Sequence, residues 1–294
     1  DTKAWKKSFQ NAKEGIKKLK EVLRQTKYDV SFDLQGNMKS GFIVSLVKAK
    51  DKVGFGLKAA TERPNCLFNR IRFNPPKRCN VREENLYLVR EYFKFFEEDI
   101  SPYTLVELQI PASGKEMISK ILSLAVLHER PKVMVCSGSI WQNKQITESS
   151  LKGFLKKLQE HLDCSFIFTW GSLKEKEYAE SLKNSFKSSS LVLDKIPLPV
   201  LQNLMGKMDL VLAMDSLPLH LAGTVGVKTF SFFGPTSSEK FMPMDIMHGA
   251  FQGVCPYGRK FDRQCPILRS CKTGACLKDA QADALFSAFL SSQL

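Results

Sequence analysis

The sequence predicts an α/β fold built on parallel sheets, and three observations carry that reading. Short apolar runs rich in β-branched and aromatic residues alternate with longer amphipathic segments. Two of these runs, Leu210 to Met214 and Thr229 to Phe233, lie in the stretch Met208 to Thr236, and each empties into a polar loop on the same edge of a sheet. With 294 residues, 43% of them hydrophobic, the chain can bury one large core or two of about 100 to 150 residues each.

Between those two strands the sequence predicts a helix. Asp215 and Ser216 stand as its capping residues, Pro218 lies in its first turn, and Gly226 stops it. Ligands of open α/β sheets bind beyond the carboxyl ends of the strands, where helix N-termini offer N–H groups to anions. Asp215, Ser216 and His220 occupy that position. Taken alone, the pair reads equally as a cap and the histidine as a packed side chain. The second loop, Phe233-Gly234-Pro235-Thr236, adds a glycine that permits close backbone approach and a threonine that donates to an oxygen. Polar loops from neighbouring strands make a site.

From the start, Trp5 to Lys27 reads as an amphipathic helix with Phe9, Ile16, Leu19, Val22 and Leu23 at helical spacing. It carries much of the net charge of +14, which predicts an anionic partner such as nucleic acid, phosphorylated lipid headgroups or a nucleotide sugar. A solvated helix face is the alternative. Tyr28 to Leu34 is a strand, and the loop Gly36 to Ser40 feeds an apolar helix from Gly41 to Val47. That order suits an anion-binding turn, although the full P-loop pattern is absent. Lys52 to Phe55 is a short strand. Ala59 to Arg82 is loop-rich and basic, with Arg63 and Arg70 interleaved with Phe68 and Phe73. The interleaving suits single-stranded nucleic acid, but no recognised RNA-binding signature is present. Asn80 to Phe96 is a helix.

Composition shifts at Ser101 to Ser113, where Pro102 and Pro111 bracket a strand-like TLVELQI, and Ile118 to Leu127 is a helix. We place the domain boundary between Pro111 and Pro131, dividing the chain into 1–120 and 121–294. Lys132 to Cys136 is a strand. After it, Ser137, Gly138 and Ser139 can aim donors at phosphate, with Lys144 as a point charge, before a helix capped by Thr147. Cys164 to Trp170 is another interior strand, and Glu175 opens the helix after it. Leu191 to Ile196 is a strand leading to Pro197, with Ile196 or Leu198 packing against a purine face or simply in the core. Cys255, Cys265, Cys271 and Cys276 are spaced more widely than the paired ligands of zinc sites, so no metal is expected. Asp279 to Leu294 is a closing helix. No apolar run reaches the roughly 18 to 20 residues that cross a bilayer. Without an export signal the cysteines are expected to be thiols in a reducing compartment.

The pattern D-S-x-P-x-H-L-A-G at Asp215 to Gly223, followed by F-F-G-P-T at Phe232 to Thr236, resembles the lipopolysaccharide heptosyltransferases of glycosyltransferase family 9. The resemblance extends through Trp170-Gly171, Lys144 and Asp33-x-Gln35-Gly36-x-x-Lys39-Ser40, and into the cysteine-containing tail. It implies a GT-B architecture, with two Rossmann-like domains facing a cleft. It also implies an inverting transfer of L-glycero-D-manno-heptose from ADP-heptose to the Kdo or heptose inner core of lipid A, without metal or cofactor. By resemblance the donor contacts are Ser137, Gly138, Lys144, Glu175, Ile196, Asp215, Ser216, Leu217, His220 and Thr236. Glu175 would hold the ribose hydroxyls, Asp215 the heptose hydroxyls and His220 the phosphates. Glu175 also reads as a first-turn glutamate favoured by the helix dipole. Lys39, Arg63 and Arg70 are the acceptor contacts.

Two departures stand out. The family's catalytic aspartate lies in a Gly-Asp turn after the first strand, and no such turn precedes Lys3. The resemblance therefore puts the base upstream of Asp1, the first residue of this sequence. The N-terminal domain is expected to be truncated, with no catalytic base identifiable and the chain incomplete or inactive. Leu217 stands where relatives commonly have glycine, crowding the donor phosphate or altering the backbone. The expected location is cytoplasmic, with peripheral contact to an anionic inner membrane and no nucleic acid partner. The competing readings are a non-catalytic relative and a basic nucleic-acid-binding protein.

Overall fold

The computed structural model describes residues 8–95, 105–127 and 129–292. The expectations that fall on Asp1, Lys3, Trp5, Phe96, the stretch 101–104, His128 and Leu294 lie outside the described residues. The chain folds as two compact units, 1–100 and 101–294.

In the first unit, helix α1 (Phe9–Gln25) starts at Ser8, whose hydroxyl accepts from the N–H of Gln10 and Asn11 at 3.1 and 3.4 Å. Ile16, Leu19 and Leu23 are half-buried while the lysines between them are exposed, so the helical spacing does select one covered face. The sheet has order β1-β2-β3, all parallel, from β1 (Tyr28–Asp33), β2 (Ala49–Phe55) and β3 (Ile71–Phe73). Beyond β1, helix α2 (Met38–Leu46) begins earlier than the sequence suggests. Asn37 and Ser40 form a reciprocal capping box, which draws Lys39 and Ser40 out of the loop into the first turn. The turn before it is fixed by Asp33, 2% exposed. Its carboxylate accepts from the N–H of Gln35 and Gly36, from Ser40 Oγ and from Asn65 Nδ2 at 2.7 to 3.0 Å. Gly36 takes a φ of +64°, which suits glycine. Helix α3 (Val81–Phe93) covers the unit, with Asn80 as its cap.

The second unit holds a six-stranded parallel sheet of order β6-β5-β4-β7-β8-β9. Its strands are β4 (Lys132–Cys136), β5 (Ser165–Phe168), β6 (Ser190–Val192), β7 (Leu210–Met214), β8 (Thr229–Phe233) and β9 (His248–Gln252). Every residue of β5, β7 and β8 is buried, so alternate side chains feed different cores on the two faces. On one face Phe166, Phe168, Phe230 and Phe232 pack with α5 (Glu148–Leu162), α6 (Leu173–Lys183) and α9 (Ala282–Ser291). Phe154 and Phe289 lie against Phe230 with ring centroids 6.0 and 5.4 Å away. On the other face Met134, Ile167, Val211 and Ala213 meet α4 (Ala112–Leu122), α7 (Leu198–Met205) and α8 (Leu217–Ala222).

The stretch TLVELQI differs from expectation. Its described part, 105–110, forms no strand and belongs to the second unit, so 101–120 groups with the C-terminal unit instead of the first. Side chains replace the ladder. Gln202, 1% exposed, accepts from Leu108 N–H at 2.8 Å and donates to Val106 O at 2.6 Å, while Asn203 Nδ2 donates to Leu108 O at 2.8 Å. The backbone polar groups are satisfied without a neighbouring strand.

Candidate functional site

The chain runs from β4 outward to β5 and β6, then crosses to β7, β8 and β9 on the other side of β4. Sheet order therefore reverses between β4 and β7, and Cys136 pairs with Ala213 there. The residues that follow those strands, Ser137-Gly138 and Asp215-Ser216, are brought together at a topological switch point.

Asp215 is the centre. It is 7% exposed, and its Oδ2 accepts from Lys144 Nζ and from Thr236 Oγ1, both at 2.6 Å. Nε2 of His220 lies 3.9 Å from Oδ1. Loops after β4, β7 and β8 thus converge on one carboxylate. A carboxylate this buried needs both a countercharge and hydrogen bonds, and Lys144 and Thr236 supply them. Partial removal from water holds the His220 imidazole below its ordinary value; Asp215 pulls it up and Lys144 pushes it down. The ring is 47% exposed and stays neutral at neutral pH.

The capping roles expected for Asp215 and Ser216 are not what these side chains do. Neither caps α8: Asp215 is held by Lys144 and Thr236, and Ser216 Oγ donates to Met214 O at 3.2 Å. The helix is also shorter than predicted, closing at Gly223 instead of Gly226; past Gly223 the ladder gives way to three-residue turns from Thr224 N–H to Leu221 O and Val225 N–H to Ala222 O, both at 3.1 Å. Gly226, at φ +68°, turns the chain afterward. Pro218 does sit in the first turn, and Leu217 points outward, 57% exposed.

On the β4–β5 side, Ser172 and Glu175 form a capping box for α6. Glu175 Oε2 accepts from the N–H of Gly171 and Ser172 at 2.8 and 2.9 Å. The other oxygen faces Gly138, where a Cβ would stand only 2.5 Å from Oε1. Glu175 therefore fills the first-turn role with one oxygen and turns the other toward the β4 loop. Ser137 is 3% exposed beside it. Ile196 packs half-buried against the core shared with α7. Trp170 Nε1 donates to Leu193 O at 2.7 Å, and Lys176 Nζ lies 5.3 Å from its ring centroid.

In the first unit Lys39 and Arg63 are exposed near the carboxyl end of β1, drawn together by Met38 N–H donating to Glu62 Oε2 at 2.8 Å and Glu62 N–H to Gly36 O at 2.9 Å. Arg70 is exposed just before β3, where its N–H donates to Lys52 O at 3.0 Å, below that rim. Asn143 is a residue that sequence reasoning passes over. It is 8% exposed, and its Nδ2 donates to Leu268 O, tying the loop that carries Lys144 to the cysteine-containing segment. Its position beside Lys144 is the one signal that marks it. Among the described residues no three or more His, Cys, Asp or Glu side chains are grouped to hold a metal ion.

Residues 16–269 match the family described as Glycosyltransferase family 9 (heptosyltransferase). The chain belongs to this family. Lipopolysaccharide heptosyltransferase 1 of Campylobacter coli is 26% identical over 229 residues, covering 74% of this chain and 64% of that protein. The Pseudomonas aeruginosa protein of the same name is 23% identical over 236 residues, covering 79% and 62%. The chain thus spans somewhat less than two thirds of the curated relatives it matches. The E. coli heptosyltransferase WaaC, solved with ADP, superimposes with a TM-score of 0.70 at 18% identity, over 99% of this chain and 82% of that one. E. coli ADP-heptose lps heptosyltransferase II does so at 0.58 and 17%, over 94% and 81%. At such identities the likeness is one of fold, and the family 9 chain has the α/β fold class of these GT-B enzymes.

Proposed function

We propose that this family 9 chain carries the machinery of an inverting glycosyl transfer from ADP-heptose to the Kdo or heptose inner core of lipopolysaccharide. The second unit takes the donor role and the first the acceptor role. The observation that supports this reading best is the Lys144–Asp215–Thr236 cluster at the switch point, where an α/β sheet receives its ligands. Lys144 and the donors at Ser137 and Gly138 face the diphosphate, and His220 adds a polar contact. Asp215 accepts from heptose hydroxyls, the outward oxygen of Glu175 from the ribose, and Ile196 lies under the purine. Ser216, Leu217 and Thr236 line the sugar end. On the first unit Lys39 and Arg63 take the carboxylate or phosphate of a Kdo-lipid A acceptor, while Arg70, below the carboxyl rim of that sheet, lies apart from them.

In this reaction the acceptor hydroxyl attacks the anomeric carbon as ADP leaves from the opposite face. Charge accumulates on the departing diphosphate, and Lys144 with the loop donors stabilises it. No residue of this sequence is assigned the base. The location proposed is the cytoplasmic face of the inner membrane, with the lysines of α1 toward anionic lipid.

Calorimetric titration with ADP tests the reading. Wild type and Lys39→Ala should bind equally, while Lys144→Ala and Glu175→Gln should weaken binding about 10- to 100-fold, the worth of a lost charge-assisted hydrogen bond. Wild type that ignores ADP, or variants that bind it as tightly, would overturn it.

A further inference from the structure

Cys255, Cys265, Cys271 and Cys276 line one cavity of about 330 Å³ in the second unit, and all of them are free thiols. Arg259 and Lys272 also line it, placing two cations beside an otherwise largely apolar wall. So does Asn143, whose buried Oδ1 has no hydrogen-bond partner among the described residues. Two cations beside free thiols favour a small anionic disulfide. Four free thiols on the lining of one cavity suit thiol chemistry.

These thiols are not equivalent. Cys271 is partly exposed; its Sγ accepts from Gly274 N–H at 3.4 Å and lies 3.7 Å from Thr273 Oγ1. These hydrogen bonds, with Arg259 nearby, hold its thiol below the ordinary value and favour the thiolate. Cys276 is the opposite case, pushed up to about 11 by burial and by neighbouring Cys255, Cys271 and Cys265. One sulfur is ready to attack and another stays protonated in reserve.

We propose that this cavity is a thiol–disulfide exchange site, in which Cys271 attacks a small anionic peptide disulfide of the glutathione class and Cys276 resolves the mixed disulfide. The Cys271 thiolate bonds to one sulfur of the incoming disulfide as its S–S bond breaks, releasing a thiolate. That thiolate takes the Cys276 proton, and Cys276 then attacks Cys271 Sγ and expels the second small thiolate. Two protein thiols are oxidised to one disulfide, and one small disulfide is reduced to two thiols. The site adjoins the loops of the switch point: Cys265 N–H donates to Pro235 O at 2.7 Å, and a Cβ on Gly234 would stand 3.2 Å from Cys276 Sγ.

The test incubates the reduced chain with glutathione disulfide and reads intact mass and peptide maps. Wild type should lose two hydrogens, with the bond mapped between Cys271 and Cys276, and dithiothreitol should restore it. Cys276→Ser should stop with one glutathione on Cys271, and Cys271→Ser should stay reduced. Independently of any variant, a limiting alkylating agent should label Cys271 in native wild type about ten-fold faster than Cys276. Oxidation of Cys271→Ser at the wild-type rate, adducts spread over all cysteines, or equal alkylation of Cys271 and Cys276 would each overturn the proposal.

Discussion

Lys144 Nζ stands 2.6 Å from Asp215 Oδ2, with the two side chains only 15% and 7% exposed. Removing either partner leaves a charge in a poorly hydrated place. Lys144→Met or Asp215→Leu alone should cost about 3 to 5 kcal/mol, whereas the double variant should recover most of that loss. Urea unfolding of the full cycle measures it, and additive losses would show that the pair is not coupled.

Gln202 binds the irregular stretch 105–110 to the second unit through Leu108 N–H, Val106 O and Thr224 Oγ1 at 2.8, 2.6 and 2.8 Å. Gln202→Leu keeps the volume but strips the partners from partly buried backbone groups. The expected loss is about 2 kcal/mol or more, with faster amide exchange at Leu108. Unchanged exchange at that amide would mean the segment is held by packing alone.

Burial holds the His248 imidazole below its ordinary value, with Asp245 pulling it up, and Thr229 Oγ1 lies 2.9 Å from its Nδ1. The unfolded chain takes up the proton near pH 6.5 and the folded chain does so only lower, so the unfolded state binds more protons in that window. Stability should therefore fall as pH drops below about 6.5, and His220, shifted the same way, adds to the slope. In His248→Gln the slope between about pH 6.5 and 5 should flatten. Stability that rises on acidification through this range would contradict the assignment.

The strands legible in the sequence are those buried on both faces. Leu210–Met214 and Thr229–Phe233 are continuous apolar runs because helices cover the sheet twice. The edge strand His248–Gln252 gives no such signal, since its histidine, glycine and glutamine break that pattern and its place depends on β8. The opposite failure is 105–110, whose strand-like composition is overridden by glutamine and asparagine side chains nearly 100 residues away in the chain. At the candidate site, loop position singles out Asp215 and Thr236, while Lys144 is selected by the family resemblance. Their bonding is not legible, because Lys144 and Asp215 are 71 residues apart. The local rule that Asp-Ser before a helix forms a cap loses to that distant ammonium.

Of the three tryptophans in the chain, Trp5 lies outside the described residues. Trp141 is 41% exposed, close to Lys144, and Trp170 sits at the end of β5 with the Lys176 ammonium over its ring. Indole emission responds to nearby cations and to wetting. The molecule accordingly carries native optical labels at the mouth of its larger sheet, and occupancy there can be followed by ultraviolet fluorescence with no dye attached.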